Sequence, residues 1–266
     1  MIKLENVNFG YGKNEILHNV NISIEKGEFV AVAGENGAGK STLLRVIRGL
    51  ISPESGNVLI DGKNIAKIKK SSLAGKIGFL FQNPDRQLCH NTVREELMFS
   101  LKYTVRDKTA RQKMYDDIIS EYEIDENADP FEMSRGEKQK TALISTLIAK
   151  PDILLLDEPT TGLDYTECKK LMDSVKKINE KGCTVVMVCH DMEVVLDYAE
   201  RCIVMDSGRI ISDGMTKDIF YNEELIASSA VLPPQIIGLS EYMGNPFGRV
   251  YTFREMSDET ERAVRQ

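Results

Sequence analysis

The chain begins with alternating apolar and polar positions, which are typical of strands that have one buried face. This alternation occupies residues 2–9 and 20–24, and glycine-containing turns separate the two stretches. Residues 29–33 form a continuous apolar run, and short apolar segments follow at 57–60 and 77–81. The pattern predicts antiparallel strands beside a first buried strand, with two further strands before residue 82.

The apolar spacing changes between residues 92 and 149 to a period of about 3.6, which is the period of helices that bury one face. Three successive helices are predicted, with apolar positions at Val93, Leu97 and Leu101, at Met114, Ile118 and Ile119, and at Leu143, Ile144, Leu147 and Ile148. A helical lobe is therefore expected as an insertion between two halves of a β-containing core.

Continuous apolar runs return at residues 153–156, 184–189 and 201–205, and helical patterns at 165–179 and 192–199 lie between them. Buried strands that alternate with helices are typical of a parallel sheet covered on both faces. We therefore predict an α/β chain whose main sheet is mostly parallel.

The pattern weakens past residue 214. It predicts one helical stretch to about residue 228 and a short apolar helix that ends at Met243. A polar tail is expected beyond that helix, and the sequence shows no internal repeat.

Residues 34–42 read Gly-Glu-Asn-Gly-Ala-Gly-Lys-Ser-Thr, between a buried strand and a helical pattern. Glycines in such a loop let successive amide N–H groups point at phosphate oxygens from a helix N-terminus. Lys40 is expected to reach the β- and γ-phosphates, and Ser41 to offer its hydroxyl to Mg²⁺. The alternative, a glycine-rich turn without a ligand, is disfavoured by the strand-loop-helix setting. The predicted nucleotide-binding residues are Gly34, Asn36, Gly37, Ala38, Gly39, Lys40, Ser41 and Thr42.

Two adjacent carboxylates, Asp157 and Glu158, end the apolar run at 153–156. Ligands of an open parallel sheet collect at the carboxyl ends of its strands. We expect Asp157 to hold Mg²⁺, directly or through water, and Glu158 to be the general base or the water-positioning carboxylate for attack on a γ-phosphate. An Asp-Glu pair at a strand end is otherwise often a solvated turn, and the phosphate loop favours the catalytic interpretation.

Ser134 and Glu137 have the spacing of a capping box at the start of the third predicted helix. That interpretation leaves Gly136 unexplained, because glycine within the first turn costs about 1 kcal/mol relative to alanine. We expect a glycine there if a phosphate from outside the chain must approach the backbone closely.

Composition limits the classes of function. The 266 residues carry a net charge of −7, so nucleic acid is not expected as a main partner. The sequence has no apolar run of 18 residues and no signal-peptide pattern at its start. Its five cysteines form no Cys-x-x-Cys pair, which indicates reduced thiols that act as small core residues and favours a cytosolic location.

These motifs resemble the ATP-binding cassette (ABC) ATPases, whose signature is usually Leu-Ser-Gly-Gly-Gln. The corresponding residues here are Met133-Ser134-Arg135-Gly136-Glu137, so the sequence departs from the family at Arg135 and Glu137. The resemblance implies that Ser134, Gly136 and the signature position of Glu137 face the γ-phosphate of ATP held by an opposite subunit. An added carboxylate near ATP is unfavourable unless it folds back on its own cap or Arg135 offsets it.

Four other positions match family elements in the family's order. The resemblance implies that Tyr11 stacks on adenine and that Gln82 touches Mg²⁺ and the attacking water. It implies that Asp164 belongs to the loop that links two nucleotide sites across a dimer. It also implies that His190 contacts the γ-phosphate and helps to position the catalytic carboxylate.

The resemblance also implies a domain organisation. It has a P-loop NTPase core with a mostly parallel sheet, an N-terminal antiparallel β subdomain and an inserted α-helical subdomain. The ABC ATPase domain is expected at 1–225, divided into a core at 1–82 and 150–225 and a helical subdomain at 83–149. A C-terminal extension is expected at 226–266.

Residues 81–88, Phe-Gln-Asn-Pro-Asp-Arg-Gln-Leu, resemble the glutamine-loop segment of energy-coupling factor transporter ATPases, including cobalt and nickel importers. Residues 232–236 resemble the start of that group's C-terminal extension. The implied partners are ATP with Mg²⁺, a second ABC ATPase subunit, a transmembrane coupling protein and a substrate-binding membrane component. The implied location is peripheral, on the cytoplasmic side of the membrane, and the implied cargo is a vitamin or metal ion.

Three alternatives remain open at this point. The chain could serve another type of transporter, or it could be the hydrolysis-poor regulatory half of a heterodimer, as Arg135 and Glu137 suggest. The presence of Glu158 and His190 favours hydrolysis at its own phosphate loop. An ABC ATPase of DNA repair is disfavoured because residues 34 and 134 are separated by no long coiled coil.

Overall fold

The computed structural model describes residues 1–122, 124–229, 231–244 and 250–264. The strands are β1 (Ile2–Tyr11), β2 (Asn14–Ile24), β3 (Phe29–Gly34), β4 (Ser55–Ile60), β5 (Lys63–Asn64), β6 (Ile77–Leu80), β7 (Ile153–Asp157), β8 (Thr184–Val188), β9 (Arg201–Asp206) and β10 (Arg209–Met215). The helices are α1 (Lys40–Arg48), α2 (Lys70–Lys76), α3 (Val93–Thr104), α4 (Lys108–Tyr122), α5 (Arg135–Leu147), α6 (Tyr165–Glu180), α7 (Met192–Tyr198), α8 (Thr216–Phe220), α9 (Glu223–Ser228), α10 (Gln235–Met243) and α11 (Phe253–Val264).

The strands form two sheets. An antiparallel sheet has the order β2-β1-β4-β5, and a six-stranded sheet has the order β10-β9-β3-β8-β7-β6. All neighbouring pairs of the larger sheet are parallel except β10 with β9. The predicted α/β fold with a mostly parallel sheet and a separate antiparallel layer is therefore confirmed.

The larger sheet is apolar on both faces because its strands alternate between two cores. On β3, Phe29 and Ala31 belong to one buried cluster, while Val30 and Val32 belong to the other. Burial on both sides explains why these strands are continuous apolar runs in the sequence.

The inserted helices α3, α4 and α5 share a third apolar cluster built on Leu97, Leu101, Tyr115 and Ile144. Helix α5 also contributes Leu143 to the main core, so its two sides pack in different clusters. The helical lobe is thus joined to the sheet through the same helix that begins at the predicted signature.

The later part of the chain contains two elements that the sequence pattern does not predict. Strand β10 was not expected; it pairs with β9 through a tight turn in which Ser207 and Gly208 both have positive φ. The expected polar tail contains α11, which turns Met256 into the core. Residues 245–249 and 265–266 of that tail lie outside the described residues.

In the part of the chain that the structure describes, no helix combines the length and the apolar character that a membrane-spanning helix needs.

We expect Gly34→Ala to lower the free energy of unfolding by more than about 3 kcal/mol, because its backbone conformation and its neighbour both require glycine. Gly34 has φ of 138°, and an added Cβ would lie 2.0 Å from the carbonyl oxygen of Met205 on the adjacent strand. Gly12→Ala is the matched control: it has φ of 64° with open space around it, so a loss of only about 1 kcal/mol is expected. Urea unfolding measures both values, and equal losses would contradict this account.

Candidate functional site

The predicted phosphate-loop, magnesium-binding and catalytic residues meet at one edge of the six-stranded sheet. Strands β3, β6, β7 and β8 run parallel, so their carboxyl ends share this edge. The phosphate loop follows β3, Gln82 follows β6, Asp157 and Glu158 end β7, and His190 follows β8. Residues separated by more than 100 positions are thereby brought into hydrogen-bond contact.

The phosphate loop leads directly into α1. Gly37 and Gly39 have φ of 89° and 95°, a region that favours glycine, and Gly39 is the N-cap of the helix. Asn36 is exposed at the outer part of the loop, while Ala38 and Thr42 are buried against the fold. The predicted strand-loop-helix setting is present.

Lys40 extends back along its own loop. Its Nζ donates hydrogen bonds to the carbonyl oxygens of Gly34, at 2.7 Å, and Glu35, at 2.6 Å. Burial lowers the pKa of the Lys40 ammonium, and the nearby carboxylates of Glu158 and Asp157 oppose that shift. The loop therefore holds a desolvated cation where phosphate oxygens are expected.

Ser41 and Asp157 form a pair of oxygen donors beside Lys40. The Ser41 hydroxyl donates to Asp157 Oδ1 at 2.7 Å. Asp157 is 3% exposed, and burial raises the pKa of its carboxyl group, while the Ser41 hydrogen bond and Arg45 act in the opposite direction. A buried carboxylate next to a hydroxyl is a donor set that suits Mg²⁺.

We expect Asp157→Asn to raise the thermal stability of the nucleotide-free chain at pH 7, because it removes a desolvated charge and can retain the Ser41 hydrogen bond. Because its pKa is higher in the folded state, the Asp157 carboxyl group binds a proton more tightly there than in the unfolded chain. The charged carboxylate therefore destabilises the fold as the pH rises above 3.8, the ordinary pKa of the group. The advantage of the variant should therefore shrink as the pH falls towards 3.8 in thermal melts. Asp152→Asn, at a carboxylate that is 61% exposed, is the control without an advantage. A gain that grows at low pH would contradict this assignment.

Glu158 lies at the centre of a polar cluster. Its Oε2 accepts hydrogen bonds from Gln82 Nε2, at 2.5 Å, and from the Thr161 hydroxyl, at 3.1 Å. Its Oε1 lies 3.0 Å from His190 Nε2. The backbone of Glu158 has φ of 51°, and its N–H donates to the carbonyl of Val188 on β8. Residues at the carboxyl ends of β6, β7 and β8 thus fix the orientation of this carboxylate.

The signature segment begins α5 with the predicted capping box, which is confirmed. Glu137 N–H donates to Ser134 Oγ at 3.3 Å, and Ser134 N–H donates to Glu137 Oε2 at 2.9 Å. The Ser134 hydroxyl also donates to the same oxygen at 2.7 Å, and these bonds lower the pKa of the Glu137 carboxyl. The added carboxylate is folded back on its own cap, as the sequence required of it.

The need for glycine at position 136 is explained by a contact within the chain that the sequence did not indicate. A Cβ at this position would lie 2.1 Å from Oε1 of Glu167, in the first turn of α6. Glu167 is itself held by a capping box with Asp164, the N-cap of α6. Close packing of two helix starts therefore accounts for the glycine without an outside phosphate.

The loop before α6 also touches the signature. Arg135 lies over Gly162, where an added Cβ would be 2.7 Å from the arginine Nε. Gln139, buried on α5, donates to the carbonyl of Pro159 at 3.1 Å. The two segments that the sequence assigned to inter-subunit contacts, at 134–137 and at Asp164, are packed together on one chain.

Tyr11 is the residue predicted to stack on adenine. It ends β1, is 48% exposed and packs edge-to-face on Phe9, with ring centroids 4.9 Å apart. Phe9 is buried, as expected of a core residue. An exposed aromatic ring supported from behind suits stacking on a flat ligand.

Several residues were missed by sequence reasoning. Thr161 contacts Glu158, and Lys138 on α5 pairs with Asp85 at 2.9 Å beyond Gln82. Gln87 Nε2 donates to the Ala142 carbonyl at 2.7 Å, which fastens the segment after Gln82 to α5. The contacts of Lys138 and Gln87 join distant parts of the chain, so no local pattern indicates them, whereas Thr161 lies only three residues after Glu158.

A family model described as ABC transporter matches residues 17–161. The chain belongs to the ABC transporter family. It is 36% identical over 256 residues to the energy-coupling factor transporter ATP-binding protein EcfA2 of Clostridium perfringens, covering 92% of this chain and 90% of that protein. It is 35% identical over 247 residues to the energy-coupling factor transporter ATP-binding protein EcfA of Methanothermobacter thermautotrophicus, covering 90% and 78%. The resemblance to ATPases of the energy-coupling factor type is therefore confirmed.

The first curated relatives that the chain matches are longer proteins, from Methanosarcina acetivorans, Methanosarcina mazei and Caldanaerobacter subterraneus. The chain spans 36%, 38% and 44% of their lengths.

Solved structures show the same fold. The cbiO1 protein of Clostridium perfringens, described as part of the ABC transporter complex cbiONQ, aligns with a TM-score of 0.75 and 31% identity over 85% of this chain and 93% of that chain. The ATP-binding cassette MJ0796, described as a dimer in a post-hydrolysis state bound to ADP and Pi, aligns with a TM-score of 0.73 and 33% identity over 81% and 99%. The expected ABC ATPase fold is thus confirmed.

Proposed function

We propose that this chain binds and hydrolyses ATP as the energy-supplying subunit of an importer of the energy-coupling factor type. The observation that carries the proposal is the cluster around Glu158, where Gln82, Thr161 and His190 all approach one carboxylate beside the phosphate loop. A carboxylate held from three sides is suited to orient a water molecule for attack on a phosphate.

Nucleotide binding is assigned to the loop at 34–42 and to Tyr11. Backbone N–H groups of the glycine-rich turn and the α1 N-terminus attract phosphate oxygens. Lys40 supplies a buried cation at the same place, and the exposed ring of Tyr11 supplies a surface for adenine.

The donors at the loop fit a magnesium ion. Ser41 Oγ and Asp157 Oδ1 lie 2.7 Å apart, and both are the hard oxygen ligands that Mg²⁺ prefers. Gln82 adds an amide group nearby through its contact with Glu158. When bound with ATP, the ion neutralises charge on the phosphates, and Ser41, Asp157 and Gln82 are the residues that would hold it.

Hydrolysis is assigned to Glu158, Gln82 and His190. Glu158 accepts or directs the proton of the attacking water, and Gln82 and Thr161 keep its Oε2 oriented. His190 holds Oε1, and the contact with the γ-phosphate is assigned to it from the family resemblance. Two partners contact Oε2 and one contacts Oε1, so both oxygens are held and rotation of the carboxylate is restricted.

A second cassette subunit is part of the proposal. On its own chain, the signature start of α5 contacts the α6 start and the loop at Pro159. From the family resemblance, and in addition to these contacts, Ser134, Gly136 and Glu137 are assigned to ATP held by a second subunit, and Asp164 to the contact between the two chains. The dimeric form of the similar cassette MJ0796 supports this assembly.

The membrane partner is assigned to a groove between the sheet and the helical lobe. This open groove has a volume of about 370 Å³, and Phe99 and Tyr103 line it with exposed aromatic rings. Gln87 borders it and is hydrogen-bonded to α5, so a partner there can influence both Gln82 and the signature. We propose that a transmembrane coupling protein occupies this groove on the cytoplasmic side of the membrane, that a separate component binds a vitamin or metal ion, and that closure of the ATPase dimer drives uptake.

We keep the predicted division of the chain as part of the proposal. It comprises an ABC ATPase domain at 1–225, with the core at 1–82 and 150–225 and the helical subdomain at 83–149, and a C-terminal extension at 226–266.

A hydrolysis-poor regulatory role is the second candidate function, because the Ser134 hydroxyl already donates its hydrogen bond to Glu137.

Phosphate release from Mg·ATP by the purified chain tests the proposed activity, first alone and then mixed with a companion ATPase subunit. Turnover by the chain alone, or turnover in the mixture that requires Glu158 of this chain, supports the proposal. If the mixture still hydrolyses ATP when this chain carries Glu158→Gln, the regulatory role is assigned to this chain instead. Copurification of a transmembrane protein from detergent tests the transport assignment, and its absence in the full complex preparation would contradict it.

A further inference from the structure

Three side chains with metal-binding groups meet near the start of α3, away from the phosphate loop. Cys89, His90 and Glu96 each offer one ligand atom, and these atoms all lie within 4.8 Å of one another. His90 Nδ1 is central: it lies 3.3 Å from Cys89 Sγ and 3.1 Å from Glu96 Oε2. The proposed ATPase function uses none of these three side chains.

The distances from His90 Nδ1 to the other two ligand atoms are close to those of a tetrahedral zinc site. Zinc bonds are about 2.3 Å to sulfur and about 2.0–2.2 Å to nitrogen or oxygen, so neighbouring ligand atoms lie roughly 3.3–3.6 Å apart. Small rotations of the side chains would convert the present contacts into such a geometry. The mixture of thiolate, imidazole and carboxylate suits zinc and similar transition ions better than Mg²⁺.

The protein holds these ligands in place before any ion binds. Glu96 is buried, and its Oε2 accepts backbone N–H groups from Cys89, at 2.8 Å, and His90, at 3.1 Å. Thr92 caps the helix that carries Glu96, and Gln87 fastens the preceding segment to α5. Little conformational entropy is therefore lost when the three groups bind one ion.

The charges also balance. Partial desolvation and the neighbouring Glu96 carboxylate raise the pKa of the exposed Cys89 thiol, so a bound ion has to displace the thiol proton. A divalent ion favours the thiolate, and the released proton goes to solvent. Thiolate, carboxylate and neutral imidazole then carry two negative charges against two positive charges, which leaves no buried net charge.

We propose that Cys89, His90 and Glu96 form a binding site for zinc or a similar transition-metal cation. Three protein ligands leave a fourth position for water or for a ligand from a partner. Cys89 is exposed and lines the same groove as Phe99 and Tyr103, and the His90 ring packs on Phe99 with centroids 4.7 Å apart. The fourth position therefore opens towards the groove.

The alternative is that Cys89, His90 and Glu96 have a purely structural role. In that case His90 Nδ1–H donates to Glu96, and the cluster only fastens the loop to α3. Such a cluster would bind no transition metal through sulfur, so a spectroscopic signature of sulfur ligation separates the two roles.

Titration of the chelator-treated full chain with Co²⁺, in excess Mg²⁺ to occupy the nucleotide site, tests the proposal. We expect one equivalent of Co²⁺ to produce a near-ultraviolet thiolate-to-cobalt band and the visible bands of a tetrahedral site, and Zn²⁺ to remove both. Cys89→Ser should abolish the near-ultraviolet band, and His90→Ala should weaken Co²⁺ binding at least about tenfold.

Cys168→Ser is the matched control, because Cys168 is a half-buried free thiol on α6. It should keep the cobalt bands and the affinity of the unaltered chain. No near-ultraviolet band in the unaltered chain, or a band that survives Cys89→Ser, would overturn the proposal. Circular dichroism checks that each variant is folded, and the loop contacts of Glu96 are left unchanged in this design.

Discussion

Glu158→Gln is expected to reduce steady-state ATP hydrolysis by about a thousandfold while leaving ATP affinity within about threefold of its original value. A glutamine has the same shape, so it can keep contacts to Gln82, Thr161 and His190 through rearranged amide hydrogen bonds. It cannot accept a proton from water. The effect should therefore fall on turnover and not on binding.

The measurement is phosphate release at saturating Mg·ATP, with affinity determined separately by equilibrium binding. Glu180→Gln is the matched control, since Glu180 is exposed at the end of α6. It should hydrolyse ATP at the original rate. Undiminished turnover by Glu158→Gln would exclude Glu158 as the catalytic carboxylate.

Lys40→Ala is expected to weaken ATP binding by about a hundredfold or more. Lys40 is the buried cation of the loop, and each charge-assisted hydrogen bond to a phosphate contributes about 1.5–3 kcal/mol. Two such bonds, to the β- and γ-phosphates, account for a loss of this size. ADP binding should suffer less, because one of the two phosphates is missing.

Calorimetric titration with ATP and ADP measures both effects. Lys26→Ala, at an exposed lysine in the turn before β3, removes the same charge without touching the loop, and its affinity should be unchanged. If Lys40→Ala bound ATP as tightly as Lys26→Ala does, the loop would not be the phosphate site.

The sequence predicted well those parts of the fold and the site whose functional residues lie within one short segment. The loop at 34–42 carries its glycines, Lys40 and Ser41 in one segment, so its setting between a strand and a helix could be deduced. Asp157 and Glu158 follow a buried run, and the topology of a parallel sheet places them at the edge where ligands bind. The capping box of Ser134 and Glu137 is equally local.

The parts that were missed depend on contacts between distant segments or on weak local patterns. Glu167 explains Gly136 only after two helix starts are packed together. Strand β10 alternates between partly buried and exposed residues without a strong apolar run, although the Ser-Gly turn before it is a hairpin signal. Cys89 was expected in the core and is exposed, and its proximity to Glu96 requires the loop to fold back on α3.

Sedimentation of the Glu158→Gln chain with saturating Mg·ATP tests most directly whether two chains complete each other's ATP sites. The chain is examined alone and mixed with a companion cassette subunit. We expect a species of two chains that holds two ATP molecules and separates when ADP replaces ATP. A chain that binds ATP and remains single in both preparations would contradict it.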